Sequence, residues 1–176
     1  MKKQLLVISV LFFSLSVFAQ SPELSRDEEG NKVVKGFITK RDLATDTSFS
    51  WFGKNQQGYV PDQIALKALR ANKDSINILA FGGTWCDDTK FILPKFFVLA
   101  DAAGLSQDRI TVLGVDHNKK TVQHLSETFN ITNVPTIIIM KNGKEIGRVI
   151  EYGKHGMFDR ELGEILNSTP SAFNKL

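Results

Sequence analysis

The chain has 176 residues, of which 42% are hydrophobic and 23% charged, and its formal net charge is +3. This composition is typical of a globular domain. The absence of a Lys/Arg cluster beyond the first residues argues against nucleic acid or a membrane surface as a partner. A single cysteine excludes a fold held together by internal disulfide bonds.

The first 19 residues have the pattern of a secretory signal peptide. Lys2 and Lys3 precede an apolar run over residues 5–13, and a V-x-A sequence ends at Ala19. A membrane anchor is the alternative, but the run is too short and too broken by serine to span a bilayer. We therefore predict cleavage after Ala19 and a periplasmic or secreted protein with no membrane segment after cleavage. Cleavage there removes two of the 22 basic residues and none of the 19 acidic ones, so the mature chain is nearly neutral.

The segment after the signal peptide predicts little regular structure. Residues 20–31 are polar and acidic, which favours a loose leader, and residues 32–39 have the β-branched and aromatic content of a strand. Residues 41–59 carry aromatic residues among Ser, Gly, Asn and Gln. We interpret them as a loop whose aromatics dock on the domain, with a binding surface as the alternative. These aromatics are Phe49, Trp51, Phe52 and Tyr59.

Helices and strands alternate in the rest of the chain. A helix over residues 61–72 has Pro61 at its first position and Asp62 in its first turn. A second helix over residues 87–103 ends at Gly104. Asn142-Gly143 predicts a type I′ turn between antiparallel strands. The other predictions are strands over residues 76–81, 110–116, 137–140 and 145–150, and helices over residues 119–129, with Val122, Leu125 and Phe129 facing inward, and 158–166.

The one cysteine, Cys86, lies in the stretch GGTWCDDTK, between a predicted strand and a predicted helix. Free N–H groups and the positive end of the helix dipole favour the thiolate form of a cysteine there. The thiolate is the nucleophile in disulfide exchange, so this placement suits attack on a disulfide. Asp87 and Asp88 stabilise the helix start, yet their charges disfavour a neighbouring thiolate, which leaves the balance open.

The segment from about residue 76 to residue 166 resembles the thioredoxin superfamily in the order of its elements. Trp85-Cys86 lies at a strand-to-helix junction, where the family has its W-C-x-x-C motif. Pro94 follows the cysteine by eight residues, as the proline of the active-site helix does in thioredoxins. The Val134-Pro135 pair matches the family's cis-proline segment, which faces the sulfur.

This resemblance implies an α/β fold of the thioredoxin-like three-layer type, with a central mixed sheet flanked by helices. Residues 20–60 would form an N-terminal strand and loop extension that packs on the core. Residues 61–176 would form the thioredoxin-like domain.

Two residues depart from the family pattern, and both departures concern the same chemical step. Thr89 stands where thioredoxins have the second, resolving cysteine. Ala80 stands six residues before Cys86, where thioredoxins bury an acidic residue that accepts a proton from that second sulfur. A mixed disulfide at Cys86 is therefore not released by intramolecular attack. Pro135 is retained, and its ring helps to hold an extended segment with which a substrate strand can pair.

The resemblance implies monothiol disulfide exchange of the reductase or isomerase type, with Cys86 as nucleophile and an external thiol that releases the mixed disulfide. Thr89 is a candidate hydrogen-bond donor to the thiolate. Expected partners are proteins or small molecules that carry thiols or disulfides, and a dimer linked through Cys86 is a further alternative. Neither a cofactor nor a metal is expected. The predicted substrate platform consists of Trp85, Asp87, Asp88, Val134 and Pro135.

Other functions have less support from the residues. A redox-inactive binding module that holds protein partners at the Pro135 edge is the alternative from another class, and a buried, unreactive Cys86 would favour it. A single-cysteine peroxidase is disfavoured, because the T-x-x-C pattern of peroxiredoxins is missing. Gly82-Gly83 lacks the Lys-Ser/Thr ending of a phosphate loop, and no G-x-S-x-G elbow indicates a hydrolase. Three histidines, interpreted as surface residues or neighbours of the site, lack the spacing of a metal site: His117, His124 and His155.

Overall fold

The computed structural model describes residues 21–168, so the predicted signal peptide and its cleavage site lie outside the described residues. These residues form a six-stranded mixed sheet with the strand order β1-β2-β4-β3-β5-β6. Only the central pair, β3 and β4, is parallel, and the other neighbours are antiparallel. The strands are β1 Glu23–Arg26, β2 Lys32–Ile38, β3 Ile76–Gly82, β4 Ile110–Gly114, β5 Thr136–Lys141 and β6 Lys144–Ile150.

Helices cover both faces of this sheet and create two apolar cores. The larger core includes Ile78 of β3 and buries α3, α4 and α6 against one face, while the smaller core includes Phe81 of the same strand and packs against α5. Because successive side chains of a strand point to opposite faces, one strand serves both cores. This arrangement confirms the predicted α/β fold with helices flanking a mixed sheet. The helices are α1 Lys40–Thr45, α2 Trp51–Lys54, α3 Gln63–Asn72, α4 Asp87–Ala103, α5 Leu125–Thr128 and α6 Phe158–Ser168.

The elements around the cysteine follow the prediction closely. Helix α4 has the predicted bounds and ends at Gly104, which adopts the left-handed conformation with φ of 73°. Strands β5 and β6 are joined by Asn142-Gly143, both at positive φ, as a type I′ turn requires. None of the helices within residues 21–168 is long and apolar enough to cross a membrane.

The loose leader predicted over residues 20–31 is wrong, because this segment contains strand β1. All four residues of β1 are exposed, and Leu24 is the one apolar residue among them. The strand therefore lacks the alternation of apolar and polar residues from which a strand can be predicted. The β1 strand pairs with β2 through a turn in which the Asp27 carboxylate accepts hydrogen bonds from the backbone N–H groups of Glu29 and Asn31. We call β1, β2 and this turn the N-terminal hairpin.

The loop predicted over residues 41–59 is also wrong, since it holds α1, a 3₁₀ turn over Thr47–Phe49, and α2. A capping box fixes the start of α1: the Thr39 hydroxyl and the Asp42 carboxylate each bond to the other's backbone N–H. Phe49 and Phe52 are buried in the larger core, which agrees with the prediction that aromatics of this segment dock on the domain.

Helix α3 begins two residues later than predicted. Asp62 is its N-cap and not part of its first turn, because the carboxylate accepts hydrogen bonds from the N–H groups of Ile64 and Ala65. Pro61 therefore precedes the helix. A carboxylate that satisfies two otherwise free N–H groups determines where this helix starts.

The single helix predicted over residues 119–129 is broken in the structure. A 3₁₀ turn over Val122–His124 precedes the short α5, and Gln123 and His124 have positive φ. The Thr121 hydroxyl donates to the backbone oxygen of Gly114 at 2.7 Å, which ties this segment to β4. Tertiary contacts therefore override the local helical pattern.

Candidate thiol site at the start of helix α4

Cys86 is the N-cap of α4 and has extended backbone angles, with φ of −79° and ψ of 126°. Its N–H bonds to the Gly83 oxygen at 2.9 Å, and its own oxygen accepts from Lys90 N–H at 2.9 Å. The side chain is half-buried, and the thiol donates to the backbone oxygen of Val134 at 3.3 Å. The sulfur thus faces both the start of a helix and the segment before β5.

The segment opposite the sulfur presents a backbone edge. Val134 and Pro135 are buried, and the peptide bond between them is cis. The Pro135 oxygen accepts from the N–H of Glu151 at 2.7 Å, which anchors the segment to the end of β6. Within residues 21–168 the N–H of Val134 has no hydrogen-bond partner.

Thr89 lies under the loop that carries the cysteine. It is 1% exposed, and its hydroxyl accepts a hydrogen bond from the N–H of Gly83 at 3.2 Å. Its methyl group fills the space beside Gly82, where an added Cβ would come within 2.8 Å of it. The observed partner of the hydroxyl is therefore the loop backbone, and a role as donor to the Cys86 thiolate stays a prediction.

The two aspartates after the cysteine have different surroundings. Asp87 is 95% exposed and pairs with Lys90 at 3.1 Å. Asp88 is half-buried and interacts with Tyr152, whose hydroxyl lies on the same side of the site. The pKa of Tyr152 is raised, first by its hydrogen bond with Asp88, then by partial burial and by the charge of Asp88, with smaller electrostatic contributions from Cys86 and Asp87.

Tyr152 is a neighbour of the site that sequence reasoning missed, because nothing in the sequence links it to a cysteine 66 positions earlier. Its ring contacts that of Phe91 in α4, with centroids 5.7 Å apart. Phe91 is 45% exposed and Tyr152 39%, so the surface beside the thiol is partly aromatic.

Trp85 folds back over the loop. Its indole N–H donates to the backbone oxygen of Val115 at 3.0 Å, and its ring stacks on His117 with centroids 4.2 Å apart. An added Cβ at Gly83 would lie 2.6 Å from the indole, so only glycine leaves room for this ring. The glycine pair before the cysteine therefore makes space for Trp85 and Thr89, a role that the sequence did not reveal.

Thr84 attaches the cysteine loop to strand β2. It is 3% exposed, donates to the Lys32 oxygen at 2.7 Å and accepts from the N–H of Val34 at 3.1 Å. Sequence reasoning missed this role of Thr84, because a threonine between glycine and tryptophan gives no local signal of a bond to a strand 50 residues earlier. Ala80, at the acidic position of the family pattern, is a buried residue of the larger core.

The structure brings most of the predicted site residues to one edge of the sheet. Trp85 and Cys86 pack against the smaller core, which contains Val134, and the two aspartates begin the adjacent helix. Of the histidines, His117 contacts the site through Trp85, and the exposed His124 lies 3.7 Å from Glu127. The described residues contain no group of three or more His, Cys, Asp or Glu side chains that could hold a metal ion.

The chain matches the thioredoxin family model over residues 65–161. The thioredoxin of Echinococcus granulosus is 32% identical over 89 residues, which span 51% of this chain and 76% of the relative. The thioredoxin of Alicyclobacillus acidocaldarius is 29% identical over 91 residues, spanning 51% of this chain and 80% of the relative. The chain therefore belongs to the thioredoxin family.

Two solved structures have a fold similar to that of this chain. An HIV epitope-scaffold protein has a TM-score of 0.56 at 12% identity, over 77% of this chain and 94% of the scaffold. A protein of unknown function from Pseudomonas aeruginosa has a TM-score of 0.52 at 13% identity, over 75% and 90% of the two chains. Thioredoxins act on thiols and disulfides in general, so family membership supports a thiol–disulfide redox function in this general sense.

Proposed function

We propose that the chain is an exported monothiol exchange protein of the reductase or isomerase type. The Cys86 thiolate attacks one sulfur of a substrate disulfide, and a new S–S bond forms as the substrate's own S–S bond breaks. The leaving sulfur takes a proton from solvent. An external thiol then attacks the mixed disulfide, which returns Cys86 as a thiolate and leaves the external thiol bound to the substrate sulfur.

The observation that carries this proposal is the position of the sulfur. Cys86 caps α4 with its side chain half-buried and its sulfur 3.3 Å from the Val134 oxygen, so the residue is partly exposed and lies next to a backbone edge. Thr89 at the resolving position cannot release a mixed disulfide, which is why a second thiol from outside, or from the substrate itself, completes the cycle.

The substrate platform in this proposal is a backbone edge with an acidic and aromatic rim. The free N–H of Val134 pairs with an extended substrate segment beside Pro135, in the manner of an added strand. Trp85 forms one wall, and Asp87 and Asp88 lie at the start of α4. Partners in this scheme are proteins or small molecules with thiols or disulfides, which includes a second copy joined through Cys86.

Export is part of the proposal. It is supported by the basic and apolar pattern of the first 19 residues, with cleavage after Ala19 and a periplasmic or secreted location. An oxidising compartment supplies protein disulfides on which a monothiol can act. N-terminal sequencing of the protein recovered from the producing cell tests this part, because an intact Met1 would contradict it.

The central test compares the mature protein with Cys86→Ser. With oxidised glutathione as the probe, the parent forms a mixed disulfide that added reduced glutathione releases. The serine variant reacts at the rate of buffer alone. Urea denaturation of both proteins checks that the variant is folded. Exchange that survives in Cys86→Ser would overturn the proposal.

A binding module is the second candidate, favoured by one observation. The thiol already donates to Val134 and is half-buried, which is also compatible with an unreactive sulfur. Alkylation of Cys86 by iodoacetamide in the folded and the urea-unfolded protein separates the two. A sulfur that reacts only after unfolding supports the module, and a sulfur that reacts in the fold supports exchange.

A further inference from the structure

A line of contacts joins the N-terminal hairpin to Trp85. The Asp27 carboxylate in the hairpin turn lies 3.5 Å from Nε2 of His117, and the His117 ring stacks on the indole of Trp85, with an interplanar angle of 20°. The indole N–H in turn donates to the Val115 oxygen at 3.0 Å. The tryptophan next to Cys86 is therefore held on one side by β4 and on the other by a side chain paired to the hairpin.

The Asp27 end of this line is rigid and charged. The carboxylate accepts from the backbone N–H of Asn31 at 2.7 Å, from its side-chain amide at 2.9 Å, and from the N–H of Glu29 at 3.1 Å. Burial by itself raises the pKa of Asp27, but the bonds from Asn31 and Glu29, with a smaller contribution from His117, outweigh it. The pKa therefore lies below its usual value. Asp27 is thus an anion at neutral pH.

A second attachment reinforces the first. Thr84, directly before Trp85, bonds to the backbone of Lys32 and Val34 in strand β2 of the same hairpin. Both residues that precede Cys86 are thereby connected to the hairpin. Thr84 is connected through its own hydroxyl, and Trp85 through the imidazole of His117.

We propose that Asp27 and His117 are positioning residues for the Cys86 site, which hold the indole of Trp85 as a fixed wall beside the sulfur. This inference rests on the proposed function only where it concerns exchange. Its structural part, that the hairpin controls the freedom of Trp85, is independent of whether Cys86 reacts.

The Asp27 carboxylate lies next to Nε2 of His117, so it limits how far the imidazole can move off the indole. The cavity of about 360 Å³ at His117 is also lined by Arg26, Glu28 and Glu29.

The neighbouring loop adds one more charged pair near His117. Asp116, the preceding residue, lies 3.8 Å from Lys35 of β2, so its charge is largely balanced. The ring of His117, held by Asp27, covers one face of the indole and makes the indole less accessible to a collisional quencher.

The test measures acrylamide quenching of Trp85 fluorescence at one pH. The chain has two tryptophans, so a Trp51→Phe background leaves Trp85 as the sole emitter and serves as the parent. Loss of the contact between Asp27 and His117 is expected to raise the quenching constant roughly twofold above that of this parent, as the strength of an exposed pair predicts. Urea denaturation confirms that each protein is folded.

Two variants remove the link from opposite ends, and a third is a matched control. His117→Gln and Asp27→Asn are both expected to raise the quenching constant about twofold. Glu28→Gln removes a charge from the same turn, but Glu28 makes none of the hydrogen bonds or ion pairs within residues 21–168, and its quenching should match the parent. A quenching constant that stays at the parent's value in His117→Gln or Asp27→Asn, or that rises as much in Glu28→Gln, would overturn the inference.

The exchange role is tested separately, with the rate at which Cys86 forms a mixed disulfide with oxidised glutathione. His117→Gln and Asp27→Asn should slow this step about twofold relative to the parent, with Glu28→Gln unchanged. Cys86→Ser should abolish the reaction but leave the quenching pattern intact. Quenching as expected with no exchange in the parent would therefore contradict the proposed function and leave the positioning of Trp85 in place.

Discussion

Thr89 stands where a thioredoxin has its second cysteine, and its position suggests how a second sulfur can be supplied. The residue lies in the first turn of α4, buried under the loop, with its hydroxyl bonded to the N–H of Gly83. Residues three apart lie on the same face of a helix, so a sulfur at residue 89 is a neighbour of the sulfur at residue 86.

We predict that Thr89→Cys converts the site into a dithiol. After reaction with oxidised glutathione, the parent should accumulate a glutathione adduct at Cys86. The variant should release the glutathione and end with an internal disulfide, visible by mass spectrometry as the loss of the adduct. Thr89→Ser keeps a hydroxyl and serves as the control, which should retain the adduct. A stable adduct on Thr89→Cys would show that the two positions do not meet.

Gly83 sets the place of the tryptophan. Its missing side chain leaves room for an indole that is also fixed by Val115 and His117, so the ring cannot simply move aside. We predict that Gly83→Ala lowers the free energy of unfolding by about 1–3 kcal/mol, the usual cost of overpacking, and shifts the emission of Trp85.

The control for this change is Gly53→Ala, in helix α2, where an added Cβ meets nothing within 4 Å. It should leave the free energy of unfolding unchanged or slightly raised, because alanine favours helices over glycine. Urea denaturation followed by circular dichroism measures both variants. Equal stability of the two alanine variants would contradict the packing described at Gly83.

Strand β2 is linked to the 3₁₀ turn over Thr47–Phe49 by an ion pair with a distinct pH signature. Asp46 caps this turn and lies 2.6 Å from Nζ of Lys32. The lysine, and next the N–H of Ser48, lower the pKa of Asp46 to about 2, from about 3.9 in an unfolded chain. A carboxyl with a lowered folded pKa stabilises the fold fully above its unfolded pKa, and loses that effect as the pH falls through the folded value.

We therefore predict that Asp46→Asn flattens the pH dependence of the free energy of unfolding between about pH 4 and about pH 2. Asparagine still caps the turn, so the variant isolates the charge. Urea denaturation at several pH values measures the effect, with Asp74→Asn at an exposed position as the control. The proposed link would be contradicted by a slope equal to that of the parent.

Elements whose signals are local were predictable from the sequence, and those fixed by distant contacts were not. Helix α4 has a glycine at its end and the Trp-Cys pair at its start, and its bounds were predicted in full. Residues 119–129 carry a helical pattern, but the bond from Thr121 to Gly114 and the positive φ of Gln123 and His124 break it. The capping box at Thr39 was a local signal for α1 that went unused.

The same distinction applies to the site. Cys86, Trp85 and the Val134-Pro135 segment follow from motifs that can be read along the chain. Tyr152 and the Asp27–His117 pair depend on how the sheet brings separate segments together. The separation of such residues along the sequence does not predict these contacts, because the fold of the intervening segments determines which residues come together.

At the scale of the whole molecule, the segment before Pro61 is part of the fold. Strand β2 lies beside β4 in the sheet, and the Tyr59 hydroxyl donates to Asp159 of α6 at 2.6 Å. The segment also supplies buried side chains to the larger core: Val34, Ile38, Leu43, Phe49 and Phe52.

We predict that a chain beginning at Pro61 does not fold cooperatively. Burial of each large apolar side chain contributes about 1.5–3 kcal/mol, so the loss of five is comparable to the whole stability of a typical domain, about 5–15 kcal/mol. The measurement is urea denaturation by circular dichroism, with the chain from Ser21 as the control. A sigmoidal transition near that of the control would show that residues 61–176 are a domain by themselves.

Thr84 places a constraint on how sequences of this kind can vary. Its hydroxyl serves the backbone of a strand that lies outside residues 65–161, the part matched to the family. In relatives without that strand a hydroxyl at this position lacks such a partner, so other residue types can replace the threonine. Chains that keep the strand need serine or threonine there, since few other side chains both donate and accept in so small a space. We therefore predict that chains with this hairpin carry serine or threonine directly before the Trp-Cys pair.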